Sequence, residues 1–288
     1  MALPTYAADP PRGESADSPT VERVRLPSGV TLEYAEQGKP NGTPAIFLHG
    51  LSDSWRSFER LFSYLPDSTH AFALSQRGHG DSDRPDDYSI RRMASDVAEF
   101  MDALDIRDAV IVGHSMGSMV AEQFALDHAE RAKALVLLSA TSSMVGNGPL
   151  TELAEALETV DDPIPYELAR EFQESTLAQP IPADFLETVI AECRKAPVRV
   201  WRSANAEILK FDLTADLAAV NVPTVIVHGD QDTFMTRGFH EVVNRAIRGS
   251  RFCIYEGAGH AMHWEEPSRV AADLVAFVER LSAKPPKA

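Results

Sequence analysis

Several short stretches of the chain are apolar without a break: Ala45 to Leu48, Ala71 to Leu74, Ala109 to Val112 and Ala134 to Leu138. Runs of this length suit strands covered on both faces, as in a mostly parallel sheet. Between them the apolar residues return at helical spacing. Phe58, Leu61, Phe62 and Leu65 form one such series, and Met93, Val97, Phe100, Met101 and Leu104 another. The same alternation resumes late in the chain. A strand at 223–229 precedes a helix at 238–247, a strand at 251–255 and a final helix carrying Val270, Leu274, Phe277, Val278 and Leu281. Near the start, 21–26 and 31–36 alternate apolar with polar around Pro27-Ser28-Gly29, which predicts a β-hairpin. Strands alternating with helices predict an α/β fold with a mostly parallel central sheet and helices on both faces.

The pattern breaks between about 142 and 212. There the strands stop, and helical stretches are interrupted by Pro163, Pro165, Pro180, Pro182 and Pro197. This segment reads as a helical lid inserted into a core formed by 21–141 and 213–283. Residues 1–20 carry four prolines and three acids, and read as a disordered leader. They lack the basic start and apolar centre of a signal peptide. Lys284 to Ala288 reads as a tail.

Charge narrows the partners. The 288-residue chain has a formal net charge of −16, and 142–212 holds thirteen acids against six bases. Such a surface disfavours nucleic acid and anionic membranes. No apolar run reaches the roughly 18 residues that span a bilayer. Cys193 and Cys253 lie far apart, with no metal-type spacing, and suit reduced thiols in a cytoplasmic protein. A monomer or homodimer is expected, with no metal and no cofactor.

Chemistry enters at Gly113-His114-Ser115-Met116-Gly117, directly after an apolar strand and before a helical pattern. G-x-S-x-G in that context is a nucleophile elbow, with Ser115 at the apex of a strand-to-helix turn. A serine hydroxyl needs a base, and the base needs a carboxylate to fix its tautomer. His260 follows a strand late in the chain within Glu256-Gly257-Ala258-Gly259-His260, which suits the base. Gly229-Asp230-Gln231-Asp232 supplies the carboxylate, with Asp232 favoured and Asp230 the alternative. The other position open to that acid, after the strand ending at Leu138, has none. His263, one turn beyond the base, reads as a packing residue. The oxyanion requires two main-chain donors. The N–H of Met116 and that of Leu51, in the loop His49-Gly50-Leu51, are the candidates.

These motifs, with Arg77-Gly78-His79-Gly80-Asp81-Ser82, resemble the α/β-hydrolase fold superfamily, in its lid-bearing serine esterase and C–C hydrolase branch. The resemblance spans about 21–281. The family's usual acid before the Arg77 loop is replaced by Ser75, followed by Gln76, and only local consequences are expected. No glycine run follows His49, which resembles the branch acting on simple esters. Ser115 stands where epoxide hydrolases and haloalkane dehalogenases carry aspartate.

The resemblance implies a cofactor-free serine hydrolase acting on a small-molecule ester or lactone through an acyl-enzyme on Ser115, and the anionic lid favours mainly neutral, apolar substrates. His49, Gly50, Trp55, Phe185, Trp201, Phe234 and Met235 are expected around the substrate, although an aromatic in the lid is more often core. The alternatives are C–C bond hydrolysis of diketone or dienoate substrates, cofactor-free perhydrolysis or acyl transfer, and a non-enzymatic ligand-binding module. A C–C hydrolase would need arginines for a substrate carboxylate, and Arg194, Arg199 and Arg202 are available.

Overall fold

A computed structural model describes residues 18–282. Most of the expected leader and the tail at 284–288 lie outside these residues. Eight strands form one sheet in the order β1-β2-β4-β3-β5-β6-β7-β8. They are β1 (Thr20–Arg25), β2 (Thr31–Gln37), β3 (Thr43–Leu48), β4 (Thr69–Ser75), β5 (Ala109–His114), β6 (Ala132–Leu138), β7 (Thr224–Gly229) and β8 (Arg251–Tyr255). The first two are the expected hairpin, and β2 also pairs antiparallel with β4. From β4 onward every pairing is parallel. Thr20, placed in the leader by composition, pairs with Glu36. β1 is an exposed edge, with Val21 45% accessible, so its alternation packs little.

Ten α-helices complete the described chain. Six belong to the sheet layers: α1 (Glu59–Phe62), α2 (Ile90–Ala103), α3 (Met116–Asp127), then α8 (Arg237–Ala246), α9 (Met262–Glu265) and α10 (Pro267–Ser282). Between β6 and β7 lie α4 (Gly148–Leu157), α5 (Tyr166–Ser175), α6 (Ala183–Cys193) and α7 (Val198–Ile208). The prolines of this segment mark its joints. Pro165, Pro182 and Pro197 immediately precede α5, α6 and α7, where a fixed φ and a missing N–H cost a helix nothing.

The unbroken apolar runs are divided between two cores. Ile46, Leu48, Ile111, Leu135 and Leu137 face a cluster containing α2, α3 and the inserted helices. Ala45, Phe47, Val110, Val112 and Val136 face the other, with α1 and α10. Alternate side chains along a strand point to opposite faces, so both sets must be apolar. No described helix is long and apolar enough to cross a membrane.

Two glycines fix how closely these layers approach. A β-carbon on Gly113 would sit 2.2 Å from the Gly117 carbonyl oxygen. One on Gly117 would sit 2.0 Å from the carbonyl oxygen of Leu48, on the neighbouring strand rather than its own. Backbone cannot yield as a flexible side chain can. Gly117→Ala is therefore expected to cost at least about 2 kcal/mol, read as a lower urea midpoint.

Helix α3 also carries an anomaly. Glu122 is fully buried, and neither carboxyl oxygen has a hydrogen-bond partner. Desolvation pushes its pKa well above the ordinary value. The folded protein then keeps a proton that the unfolded chain releases above its own carboxylate range, so this group erodes stability as pH rises through that window. Glu122→Met should stabilise the fold by about 1–3 kcal/mol at pH 8, with a smaller gain at pH 4. Thermal melts at the two pH values measure the difference.

Candidate active site

Three strand ends meet at one place, and each turns there through strained backbone. Ser52 beyond β3, Ser115 beyond β5 and Ser139 beyond β6 have φ of 67°, 53° and 52°. Such values in non-glycine residues persist only where the surroundings impose them. Ser115 has ψ −117° and its side chain does not cap α3, so the hydroxyl is not engaged by the helix it opens. Its N–H donates to the Leu138 carbonyl at 3.0 Å, which holds the turn to β6.

The two acids after β7 separate clearly. Asp232 Oδ2 accepts from His260 Nδ1 at 2.8 Å, and its Oδ1 accepts the N–H groups of Phe234 and Met235, each at 2.9 Å. Burial works to raise this carboxyl, but the charge and hydrogen bond of His260 and the Met235 N–H outweigh it and hold the pKa below the ordinary value. Asp230 faces away and is exposed. It accepts from the Gly257 N–H at 2.7 Å and so staples the loop after β8.

His260 is held from three directions. Its carbonyl accepts from His114 Nε2 at 3.1 Å and Ser139 Oγ at 2.9 Å. The Ala261 N–H donates to the Thr176 carbonyl in the insertion at 3.0 Å. Glu265 binds the Gly259 N–H with one oxygen and the Ala178 and Gln179 N–H groups with the other. His263 is fully buried, with Nε2 3.0 Å from Ser57 Oγ, as a packing residue should be. His114 lies between the rings of His260 and His263, at 5.0 and 4.3 Å. Burial first, and then repulsion from His263 and His260, lowers the pKa of His114, while burial and repulsion from His260 take His263 down to about 3. Both are neutral at pH 7 and add no positive charge beside His260.

The expected oxyanion donors remain available. Among the described residues, neither the Leu51 nor the Met116 N–H donates to a backbone or side-chain acceptor. Gly50 and Leu51 border a cavity that also holds Ser115 and His260. The loop is braced by His49, whose Nδ1 lies 2.7 Å from the Gly50 carbonyl and whose Nε2 accepts the Gln76 N–H at 2.9 Å. The replaced family acid has a local solution. Glu33 reaches over from β2, accepts from Ser75 Oγ at 2.8 Å and from the Asp81 N–H at 3.2 Å.

The cavity encloses about 510 Å³, part of it open to solvent. Its walls are largely apolar: Met119 from α3, Leu150 from α4, Phe172 from α5, Ile208 from α7, and Phe234 and Met235 after β7. Of the seven residues expected there, Gly50, Phe234 and Met235 line it. The other four do not, for identifiable reasons. His49 supports the loop from beneath. Trp55 packs in the core under Arg56, whose guanidinium lies 4.6 Å from the ring. Phe185 packs edge-on against Trp264 at 6.0 Å, and Trp264 takes the place at the wall. Trp201, fully buried, backs Phe172 at 5.1 Å. Of the insertion's large aromatics, Phe172 reaches the cavity, while Trp201 backs it and Phe185 packs on Trp264. Asp53, Gln173 and Thr176 also line it and were not expected. Met119 could have been found, because it sits one turn after Ser115 on the same helix face.

His228, Asp232 and His240 bring ligand-type atoms within 4.8 Å of one another. Hydrogen bonds already engage most of them. His240 Nε2 accepts the Ala140 N–H at 3.0 Å, and both Asp232 oxygens are occupied as above.

Comparison with known proteins shows the family. Residues 45–273 match the family model described as the alpha/beta hydrolase family. The chain belongs to that family, and it is an α/β-hydrolase enzyme. It is 29% identical over 265 residues to the AB hydrolase superfamily protein YisY of Bacillus subtilis (strain 168), covering 88% of this chain and 97% of that protein. It is 23% identical over 261 residues to 3-oxoadipate enol-lactonase 1 of Acinetobacter baylyi, covering 88% and 95%. The esterase EaEST from Exiguobacterium antarcticum superimposes with a TM-score of 0.82 at 24% identity, covering 89% of this chain and 98% of that one, a likeness of fold.

Proposed function

We propose that the protein is a serine hydrolase of carboxylic esters or lactones, acting on small to medium, mainly neutral and apolar substrates. One observation carries the reading. Ser115 and His260 border the same apolar cavity, and Asp232 backs His260 at 2.8 Å. Ser115 Oγ attacks the carbonyl while His260 takes its proton and Asp232 stabilises the resulting imidazolium. The N–H groups of Leu51 and Met116 receive the developing oxyanion. His260 then protonates the leaving alkoxide, and later removes a proton from the water that releases the acid. The inserted helices act as the lid, excluding water and shaping the acyl site. The surroundings are expected to be cytoplasmic, and the partner a small molecule.

The cavity wall supports esters and lactones over C–C hydrolysis. No arginine or lysine borders it among the described residues. Arg194 donates to the Ile164 carbonyl, Arg199 to the Arg84 carbonyl and Arg202 to the Leu157 carbonyl, so the three candidate carboxylate binders are committed elsewhere. The named activity of the A. baylyi relative makes lactones a natural second arm of the test. A panel of nitrophenyl esters of increasing acyl length, with lactones and a dienoate alongside, is expected to show turnover of short and medium esters or lactones. Turnover of the dienoate alone would overturn the reading.

A further inference from the structure

Besides Ser115 and His260, the largely apolar cavity wall carries His114, Thr176 and one buried pair of acceptors that the hydrolytic machinery does not use. Asp53 lies in the loop after β3, and Gln173 comes from α5 in the insertion. Both line the cavity and both are almost completely buried, at 4% and 1% accessible. Gln173 Nε2 donates to Asp53 Oδ1 at 3.1 Å, while Gln173 Oε1 has no hydrogen-bond partner. Asp53 Oδ2 receives a long 3.3 Å contact from Ser57 Oγ, and the Gly50 backbone also bears on the carboxyl. Among the described residues no lysine or arginine pairs with this carboxyl, and His260 is the positive group that bears on it. The position is close to the reaction centre, because a β-carbon built on Gly50 would lie 3.3 Å from Asp53 Oδ2 and 3.3 Å from Ser115 Cβ. The carboxyl and the nucleophile thus flank the same glycine.

A buried carboxyl and a buried amide oxygen with open acceptor capacity are costly unless a donor meets them. Burial raises the Asp53 pKa to about 7, against the hydrogen bonds from Gln173 and Ser57, the charge of His260 and the Gly50 backbone. An acceptor pair of this kind, set in an apolar wall, discriminates between substrates that differ by one donor, since the analogue lacking the donor leaves buried polar groups unpaired.

We propose that Asp53 and Gln173 form a recognition subsite that accepts a hydrogen bond from a hydroxyl or amide N–H on the substrate, close to its scissile carbonyl. The favoured substrates are therefore hydroxy-substituted or acylamino-substituted esters or lactones with an otherwise apolar skeleton. This rests on the ester and lactone reading above and narrows it.

The test compares matched pairs. One is para-nitrophenyl butyrate against its β-hydroxy analogue. The other is γ-butyrolactone against its α-acetamido derivative, so that hydroxyl and N–H donors are distinguished. In at least one pair the donor-bearing member should show a kcat/KM about tenfold higher, the effect of one net hydrogen bond. That ratio should fall to about one in Gln173→Leu and Asp53→Ala. It should take an intermediate value in Asp53→Asn, which keeps a carbonyl acceptor. The ratio is the readout, because damage to folding or to the oxyanion loop would slow both members alike. If Asp53→Ala does not fold, Asp53→Asn and Gln173→Leu decide the matter. No preference in the natural protein, or a preference unchanged in the variants, overturns the proposal. Turnover of the plain ester together with labelling of Ser115 by a fluorophosphonate would confine such a failure to this subsite. Loss of both would sink the hydrolase reading and this inference with it.

Discussion

Ser115→Ala should reduce ester turnover by about 10⁵–10⁶-fold and leave the folded protein intact. The size follows from what the hydroxyl does. In the proposed mechanism no acyl-enzyme forms without it, and His260, Asp232 and the two oxyanion donors would have no nucleophile to serve. Stability should hold because the hydroxyl does not cap α3. The left-handed backbone at this position, φ 53°, strains serine and alanine equally. Measurement of kcat, a thermal melt and fluorophosphonate labelling separate the cases. A variant that retained turnover would remove Ser115 from the mechanism. A variant that lost both turnover and its melting transition would instead show that the elbow depends on the hydroxyl for folding.

The elbow was legible because its chemistry is tied to local rules. A strand buried on both faces must be apolar throughout, so Ala109 to Val112 announced itself. The glycines at 113 and 117 announced the close crossing, although the contact at Gly117 is with β3, which no local pattern reveals. The loops after β7 and β8 were legible for the same reason, since carboxyl ends of strands gather reactive groups. The reach of the loop favoured Asp232 over Asp230, and Asp232 is the one that lies against His260.

The cavity wall was not legible, because the packing of four inserted helices decides it. Phe185 and Trp201 are apolar residues in apolar stripes, and nothing in a stripe tells core from cavity. The useful signal was of the opposite kind. On α5 and its C-terminal cap, Ala169, Phe172, Gln173 and Thr176 follow one another at helical spacing, and two of the four are polar. A glutamine on a buried stripe needs a partner, and the partner proved to be Asp53, 120 residues away. Asp53 itself was hidden in a loop already assigned to the oxyanion. Polar residues at positions where the pattern demands apolar ones are the better guide to a substrate site than the aromatics around them.

Asp232→Asn should lower kcat by about 10⁴-fold, whereas Asp230→Asn should stay within about threefold of the natural protein. The geometry sets which way the new amide points. Asp232 Oδ1 accepts two backbone N–H groups, from Phe234 and Met235. The carbonyl oxygen of an asparagine must stay there, since its NH₂ would oppose two donors. The NH₂ then faces His260 Nδ1 and donates to it. The ring must carry its proton on Nε2, the nitrogen that should receive the proton of Ser115, and the base is lost without any change of shape. At Asp230 the accepting oxygen holds the Gly257 N–H and an amide of Gln231. An asparagine carbonyl can keep both, so the loop should hold its place. Steady-state kinetics on one nitrophenyl ester suffices. Near-normal activity in Asp232→Asn with a severe loss in Asp230→Asn would reverse the assignment, and would require the loop after β7 to turn by two residues between the resting and the working enzyme.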